Sequence, residues 1–482
     1  MQFPTYKRTS SRDSPETMDV EENLGILRDD TWQESTNPSW KRSLPHVLVA
    51  TISSFLFGYH LGVVNEPLVS ISSDLGFLGN TLEEGLVVSI CLGGAFAGSV
   101  FSGWVADGFG RRRAFQICAL PMILGACVSA MAKSLQSMLL GRLLVGVGMG
   151  LGPPVASLYV TEISPAFVRG TYGSFIQIAT CLGLMGALVV GIPSKDITEW
   201  WRVCFWLATV PAVTLALGMV FCAESPQWLY KQGRTTDAEA EFERLLGRSH
   251  VHSAMMELEK SDTGDSEGVK LLELVSGRHS RVVFIGSTLF ALQQLSGINA
   301  VFYFSSTVFR SAGVPSNLAN VCVGIFNLAG SIVAMSLMDK LGRKLLLLWS
   351  FLGMALSMGL QVAGASSYMP KSMAFYLSVG GMLLFVLTFA IGAGPVPGLL
   401  LPEIFPSRIR AKAMAFCMSV HWVINFFVGL LFLRLLEQLG PQLLYTVFSS
   451  VCLIAVAFVK KNVVETKGKS LQEIEIALLS DQ

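Results

Sequence analysis

The chain has 482 residues, of which 52% are hydrophobic and only 14% are charged, whereas a soluble domain carries about a quarter charged residues. Its mean hydropathy is +0.55, and 35 basic residues against 34 acidic ones give a formal net charge of +1. The shortage of charge excludes an ordinary soluble globular fold, and the balanced charge gives no indication of nucleic-acid binding.

Twelve apolar segments are long enough to cross a bilayer, which takes about 20 apolar residues each. Six lie at 46–68, 86–106, 114–132, 138–160, 170–193 and 201–222, and six more at 281–305, 317–338, 345–365, 374–400, 411–433 and 441–459. The pattern predicts an all-α membrane protein with two six-helix bundles, residues 44–222 and 281–459, joined by a charged loop at 223–280. Polar tails are predicted at 1–43 and 460–482.

Basic residues in the short loops predict the face that each loop occupies. The loops on the side of both termini hold ten Lys or Arg residues and the opposite loops hold six. We therefore expect both termini and the 223–280 loop on the cytosolic side, called the inner face below. The nine cysteines occur singly, without a C-x-x-C pair. That distribution is typical of small buried side chains rather than of disulfides or a metal site, and no cofactor is expected.

Two charged motifs recur in corresponding loops of the two halves. Asp107 and Arg111 follow span 2 as Asp339 and Arg343 follow span 8, and after spans 4 and 10 a glutamate precedes an arginine by seven residues. Charged pairs at helix ends can hold one face closed and break when it opens. For a single copy, a tight polar turn is an equally good interpretation. The candidate gating residues are Asp107, Arg111, Glu162, Arg169, Asp339, Arg343, Glu403 and Arg410.

Span 7 is unusually polar for a membrane helix. Gln293, Gln294 and Asn299 flank Gly297, where a helix can unwind. Amides both donate and accept hydrogen bonds, as sugar hydroxyls do, so the segment predicts a binding site for a small polar solute. Hydrogen bonding that only joins helices is the alternative. Further polar positions are Gln177 in span 5, Asn327 in span 8, and Trp422 and Asn425 in span 11, and a broken, hinge-like helix is predicted at Pro395 and Pro397 in span 10.

Over nearly all of residues 44–475 the chain resembles the sugar porter branch of the major facilitator superfamily. The segments that carry the resemblance are 107–112, 339–344, 141–142, 223–226, 293–299 and 464–468, and residues 57–65 look most like plastidic glucose transporters of plants. The resemblance implies the major facilitator fold and transport of glucose or another hexose by alternating access. It also implies that Gln177, Gln293, Gln294, Asn299, Asn327, Trp422 and Asn425 line the sugar site. Many glucose carriers have an acidic residue at the position of Ala390 and a tryptophan at that of Gly398. Transport of a polyol or another small polar metabolite is therefore an alternative.

The energy source depends on His60 and Arg142. The sequence has no phosphate-binding loop for ATP, and proton-coupled members of the family pair an aspartate in span 1 with an arginine at the start of span 4. Here Arg142 is present and His60 stands at the aspartate position, which favours facilitated uniport. Because histidine titrates near neutral pH, proton symport through His60 is the alternative. A core histidine without a coupling role is a further interpretation.

Other functional classes are less well matched by the sequence. A transporter-like sugar sensor would be expected to have a long tail for partners, and no nucleophile and base set indicates an enzyme. The expected partners are a small-molecule sugar and the lipid bilayer. The resemblance implies the plastid envelope, yet the leader contains acidic residues that transit peptides lack, so the Golgi or another endomembrane is the alternative.

Overall fold

The computed structural model describes residues 38–192, 198–262, 280–311, 315–406 and 409–467, together with residues 313 and 469. Most of the predicted N-terminal tail, part of the 223–280 loop and most of the C-terminal tail lie outside the described residues. The side chain of Asp339 lies outside them as well. Within the described residues the regular secondary structure is entirely helical.

Within the described residues eleven helices are long and apolar enough to cross a membrane, and one of them, Arg410–Asn462, contains two spans, which gives the twelve spans predicted. In the first half they are Trp40–Gly62, Thr81–Phe109, Arg111–Ala130, Leu135–Ile163, Arg169–Val190 and Trp201–Phe221. In the second half, spans 8 and 9 are Ser316–Leu341 and Arg343–Gly364, and spans 11 and 12 lie in Arg410–Asn462, which bends at Gly440 (φ 73°). The fold class predicted from the apolar segments is thereby confirmed. Short helices lie outside the spans at Leu68–Asp74, Pro226–Lys231, Thr235–Leu246 and Arg248–Asp262.

Spans 7 and 10 are broken helices. Span 7 consists of Ser280–Leu295 and Ile298–Ser311, which are separated where Gly297 adopts a φ of 86°. Span 10 consists of Lys371–Thr388, a π-helical turn at Phe389–Ala393, and Val396–Ile404. Because Pro395 has no N–H, the α-helical hydrogen bonds cannot continue through it. A side chain supplies a hydrogen-bond partner at this break, since the hydroxyl of Ser350 accepts a hydrogen bond from the Ala393 N–H at 2.7 Å.

Small residues let the helices of the first half approach closely. Spans 2 and 4 cross where Gly94 and Gly98 of one meet Gly146 and Gly150 of the other. A Cβ atom at Gly94 would lie 2.3 Å from the Leu143 carbonyl oxygen, and one at Gly146 would lie 2.0 Å from the Cys91 carbonyl oxygen. Backbones in such close contact gain packing energy that lipid tails alone would not provide.

The two halves meet along two helix pairs. Span 2 packs against span 11, and span 5 packs against span 8. Large apolar side chains on the outer surface of the bundles remain exposed, among them Trp104, Phe221 and Trp349. Such a surface is suited to lipid rather than to water.

Candidate functional site

The three amides of span 7 contact one another. Gln294 donates from Nε2 to Gln293 Oε1 at 3.2 Å, and Asn299 donates from Nδ2 to Gln294 Oε1. All three side chains are at least nine-tenths buried. The unwound turn at Gly297 brings Asn299 back toward the two glutamines, which a continuous helix would not do.

Gln293 connects this amide cluster to the break in span 10. Its Nε2 donates to the carbonyl oxygen of Ala393 at 2.5 Å and to that of Gly394 at 3.4 Å. In an α-helix the Ala393 carbonyl would accept from the N–H of residue 397, but that residue is Pro397, which has none. The predicted site residue and the predicted hinge are therefore in direct contact.

A histidine that the sequence analysis did not select completes the cluster. His421 Nδ1 lies 3.0 Å from Gln294 Nε2, and its ring packs edge to face on Phe290 with centroids 5.3 Å apart. The available signal was a polar residue one helical turn before Asn425 and next to Trp422.

Trp422 offers a donor without a partner among the described residues. Its side chain is 3% exposed, and its indole N–H makes no hydrogen bond. Phe57 of span 1 packs against it edge to face at 6.0 Å between centroids. Asn425, one turn away, accepts a hydrogen bond from the hydroxyl of Tyr303 at 3.2 Å. Span 11 thus presents an apolar ring, a free N–H and an amide between the two halves.

Gln177 and Asn327 meet in a second polar group, around the thiol of Cys181. Gln177 Nε2 lies 3.7 Å and Asn327 Nδ2 3.4 Å from the Cys181 sulfur, which is also 3.2 Å from the Ser331 hydroxyl. The group joins span 5 of the first half to span 8 of the second. The structure therefore places Gln293, Gln294 and Asn299 in one polar cluster and Gln177 and Asn327 in a second, which joins the halves. Trp422 and Asn425 lie on span 11, next to His421 and Tyr303 respectively.

His60 and Arg142 are adjacent but not paired through their side chains. Arg142 is 2% exposed and donates to the backbone carbonyl of His60 at 3.3 Å and to that of Val87 at 3.3 Å. Both ring nitrogens of His60 are buried without a hydrogen-bond partner among the described residues. Among the described residues, the Arg142 guanidinium binds peptide carbonyls and no carboxylate.

The outer ends of spans 1, 7 and 8 form a buried polar cluster that the sequence analysis missed. Glu66 accepts from Arg310 Nη2 at 2.8 Å, from Asn320 Nδ2 at 2.8 Å and from the Ser306 hydroxyl. Asn65 donates to the Phe302 carbonyl at 2.8 Å. The signal was an acidic residue directly after an apolar span. These bonds connect the two halves, so the outer face is closed.

The charged motifs on the inner face form clusters within each half. Arg111 binds Glu162 through two hydrogen bonds of 2.8 Å, and Arg343 binds Glu403 at 3.1 Å. Each glutamate binds the arginine of the other inner loop of its own half, and not the arginine that follows it by seven residues. Arg169 is exposed, and the guanidinium of Arg410 binds the Phe405 carbonyl at 3.3 Å. These pairs form because the fold packs the end of span 4 against the loop after span 2.

Asp107 and a third repeated motif complete these inner clusters. Asp107 lies 3.1 Å from Arg111. Glu224 accepts the backbone N–H of Arg111 at 2.9 Å, and Glu465, 241 residues later, accepts that of Arg343 at 2.9 Å. Burial raises the pKa of Glu224. Burial also acts to raise the pKa of Glu465, but hydrogen bonds from backbone N–H groups outweigh it and lower that pKa. Each carboxylate lies at a helix N-terminus, where a negative charge is favourable.

Comparisons with known proteins agree with this architecture. A family model described as sugar (and other) transporter matches residues 46–478. The probable plastidic glucose transporter 2 of Arabidopsis thaliana is 76% identical over 480 residues, covering 98% of this chain and 97% of that protein. The inward open conformation of the xylose transporter XylE from E. coli superposes with a TM-score of 0.77 at 28% identity, covering 89% of this chain and 98% of that one.

A second structure of the same transporter contains a bound sugar analogue. The proton:xylose symporter XylE bound to 6-bromo-6-deoxy-D-glucose matches with a TM-score of 0.77 at 29% identity, over 91% of this chain and 99% of that one. The closed outer face described above is what an inward open neighbour would show.

Proposed function

Since the chain belongs to the sugar (and other) transporter family, within the major facilitator superfamily, we propose that it carries glucose or a closely related hexose across its membrane by alternating access. The predictions of family and of sugar transport rather than enzymatic activity are confirmed. The observation that carries the choice of a hexose is the cluster of Gln293, Gln294 and Asn299 beside the unpaired indole N–H of Trp422.

The chemistry of these groups suits a hexose. Its hydroxyls donate and accept, which the amides can answer in either direction, and its C–H face can stack on an indole ring. We propose Gln177, Gln293, Gln294, Asn299, Asn327, Trp422 and Asn425 as the sugar site. Because the groups come from both halves, a bound sugar would bridge them, and its binding energy would favour a conformation closed on both faces.

For the energy source we propose facilitated uniport. Arg142 has its charge held by the carbonyls of His60 and Val87. A proton cycle through this arginine needs a group that binds and releases a proton against it. Among the described residues its titratable neighbours are His60, Cys91 and Tyr303, and none of them is a carboxylate. The ring of His60 makes no hydrogen bond that would pass a proton onward in the described residues. Proton symport through His60 remains the second candidate, because a partner-free histidine beside a buried cation can still titrate.

In the transport cycle, residues 44–222 and 281–459 would rock against each other. The outer cluster around Glu66 would break as the outer face opens. The inner ion pairs, which lie within each half, would keep each half rigid as the inner face opens and closes. We retain Asp107, Arg111, Glu162, Arg169, Asp339, Arg343, Glu403 and Arg410 as gating residues, with Gly297, Pro395 and Pro397 as hinges.

The plastid envelope is the location that the relatives support. The probable plastidic glucose transporters 2 and 3 of Arabidopsis thaliana are 76% and 67% identical to this chain, each over 98% of its length. The twelve spans make it a multi-pass membrane protein.

Uptake of radiolabelled glucose into proteoliposomes, with and without a pH gradient, tests the proposal. Gln294→Ala removes the amide that contacts both Gln293 and Asn299. Gln361→Ala is the matched control, because Gln361 is equally buried but lies in span 9, away from the site. Equilibrating uptake that ignores the gradient, collapses in Gln294→Ala and survives in Gln361→Ala would support a uniporter.

The other outcomes separate the candidates. Accumulation above equilibrium with acid outside, lost in His60→Phe, would replace uniport by symport. Specific glucose binding without uptake by the intact protein would favour a sensor. If neither binding nor uptake is found, glucose is the wrong substrate, and the same assay with polyols and pentoses would follow.

A further inference from the structure

The hydrogen bonds around Gln293 and Gln294 have a fixed direction. The carbonyl oxygens of Ala393 and Gly394 can only accept, so the amide nitrogen of Gln293 must point toward them. Gln293 Oε1 is then left to accept from Gln294 Nε2. Gln294 Oε1 in turn accepts from Asn299. The backbone of span 10 therefore orients both glutamine side chains.

His421 lies at the end of this chain of hydrogen bonds. Gln294 Nε2, 3.0 Å from His421 Nδ1, is an amide nitrogen and cannot accept a hydrogen bond. His421 Nδ1 must therefore be the acceptor, which means that it carries no proton. A neutral imidazole that accepts at Nδ1 carries its proton on Nε2.

From this geometry we infer that His421 is a positioning residue for the sugar site: its unprotonated Nδ1 holds the Gln294 amide in the orientation that sugar binding requires. Protonation of Nδ1 removes that acceptor and places a donor opposite the Gln294 N–H. The Gln294 amide then has to rotate, and Gln293 and Asn299 lose their partners. The inference rests on the proposed sugar site and adds to it a group on which affinity depends.

Nothing charged lies beside His421 in the described residues to complicate its titration. Its ring contacts are Phe290 and Trp422. Charged residues on spans 2, 7 and 11 and on Val396–Ile404 occupy terminal turns. Five titratable groups lie nearer the middle of these elements and of span 1, and each contacts a residue other than His421. On spans 2, 7 and 11, Cys91 contacts Met149, Tyr303 binds Asn425, and Cys417 contacts Ser287. On span 1, Tyr59 binds the Cys204 carbonyl, and the His60 ring packs edge to face on Tyr59.

Two substitutions distinguish positioning from packing. In His421→Asn the Oδ1 atom takes the place of Nδ1 as an acceptor, and the side chain does not titrate. In His421→Leu the acceptor is lost while an apolar side chain still fills much of the space. We expect KM for glucose to rise about tenfold in His421→Leu, the usual size for leaving a buried amide N–H unpaired, and to stay within about twofold in His421→Asn.

The pH dependence gives a readout that packing alone would not change. KM for glucose is measured in proteoliposomes from about pH 8 down to about pH 4, a range that includes the protonation of a buried histidine, with the same pH on both sides so that no gradient drives uptake. The wild type should lose affinity toward acid, and His421→Asn should not. His252→Asn, an exposed histidine on Arg248–Asp262, is the control and should keep the wild-type profile.

Each outcome decides the matter. Wild-type affinity in His421→Leu, an unchanged acid loss in His421→Asn, or a His421→Asn protein that is folded by thermal melting but has lost affinity would overturn the inference. Absence of transport by the wild type would instead refute the proposed function. If His421→Leu does not fold, the pH profile of His421→Asn alone still tests the inference.

Discussion

Removing the carboxylate of Glu66 should open the outer face. Glu66 is 3% exposed and receives hydrogen bonds from Arg310, Asn320 and Ser306, all in the other half of the molecule. These bonds exist only while the outer face is closed, and water replaces them once it opens. Glu66→Ala therefore destabilises the closed outer face relative to the open one.

The size of the shift follows from the burial of the partners. Breaking a fully buried ion pair costs about 3–5 kcal/mol. The Arg310 side chain is 39% exposed, however, so that its own interaction is weakened by solvent and the estimate must be reduced. About 2 kcal/mol remains, mostly from the buried bonds to Asn320 and Ser306, which is about a 30-fold change in the ratio of open to closed outer faces.

Distances between spin labels on the two halves measure this ratio. Leu78 and Tyr368 are exposed on the outer side of different halves and accept labels after substitution by cysteine. Glu66→Ala should move the distance distribution toward longer values. Glu437→Gln is the control, since its bond to Thr81 also joins the halves but is exposed and worth little. An unchanged distribution in Glu66→Ala, or a shift equal to that in the control, would refute the reasoning.

Three further predictions concern the ion pairs, the pH dependence and the hinge. Arg111→Lys should lower the thermal unfolding free energy by about 2 kcal/mol, because lysine cannot make the buried two-bond contact, whereas Arg343→Lys, whose pair is partly exposed, should cost about 1 kcal/mol. Equal losses in thermal melts would contradict this asymmetry. Because the pKa of Glu465 is lowered in the folded protein, its carboxylate adds to the free energy of unfolding above the ordinary carboxyl pKa. That stabilisation disappears as pH falls through the lowered pKa. Melting temperatures of wild type and Glu465→Gln should therefore differ at neutral pH and converge in acid, and a constant difference would count against the assignment. Gly297→Ala should slow transport and cost about 1–2 kcal/mol from its positive φ alone, with a further clash at Phe448, and normal transport with a normal melt would show that the turn is not required.

Local patterns sufficed for the fold class and for the choice of candidate site residues. An apolar segment of about 20 residues has one favourable environment, the bilayer, so the twelve spans follow from composition alone. Buried amides are costly in lipid unless they have partners, which made Gln293, Gln294 and Asn299 candidates for a binding site. Gly297 and Pro395 marked the breaks in spans 7 and 10, because neither residue favours a continuous helix.

Local patterns could not predict which side chains pair when the two residues are far apart in the sequence. Glu162 binds Arg111, 51 residues earlier, rather than Arg169 in its own motif. The carboxylates of Glu224 and Glu465 bind helix N-termini whose sequence gives no sign of them.

The sequence by itself therefore determined that this protein spans a membrane twelve times and is built from two related halves, and it predicted a polar site suited to a sugar, because each of these inferences depends on local composition or on repeated motifs. Only the tertiary structure decided which face is closed, which charges pair, and that His421 binds Gln294. Those features depend on the packing of helices against one another, since a side chain's partner is set by the crossing of two backbones and not by the residues on either side of it.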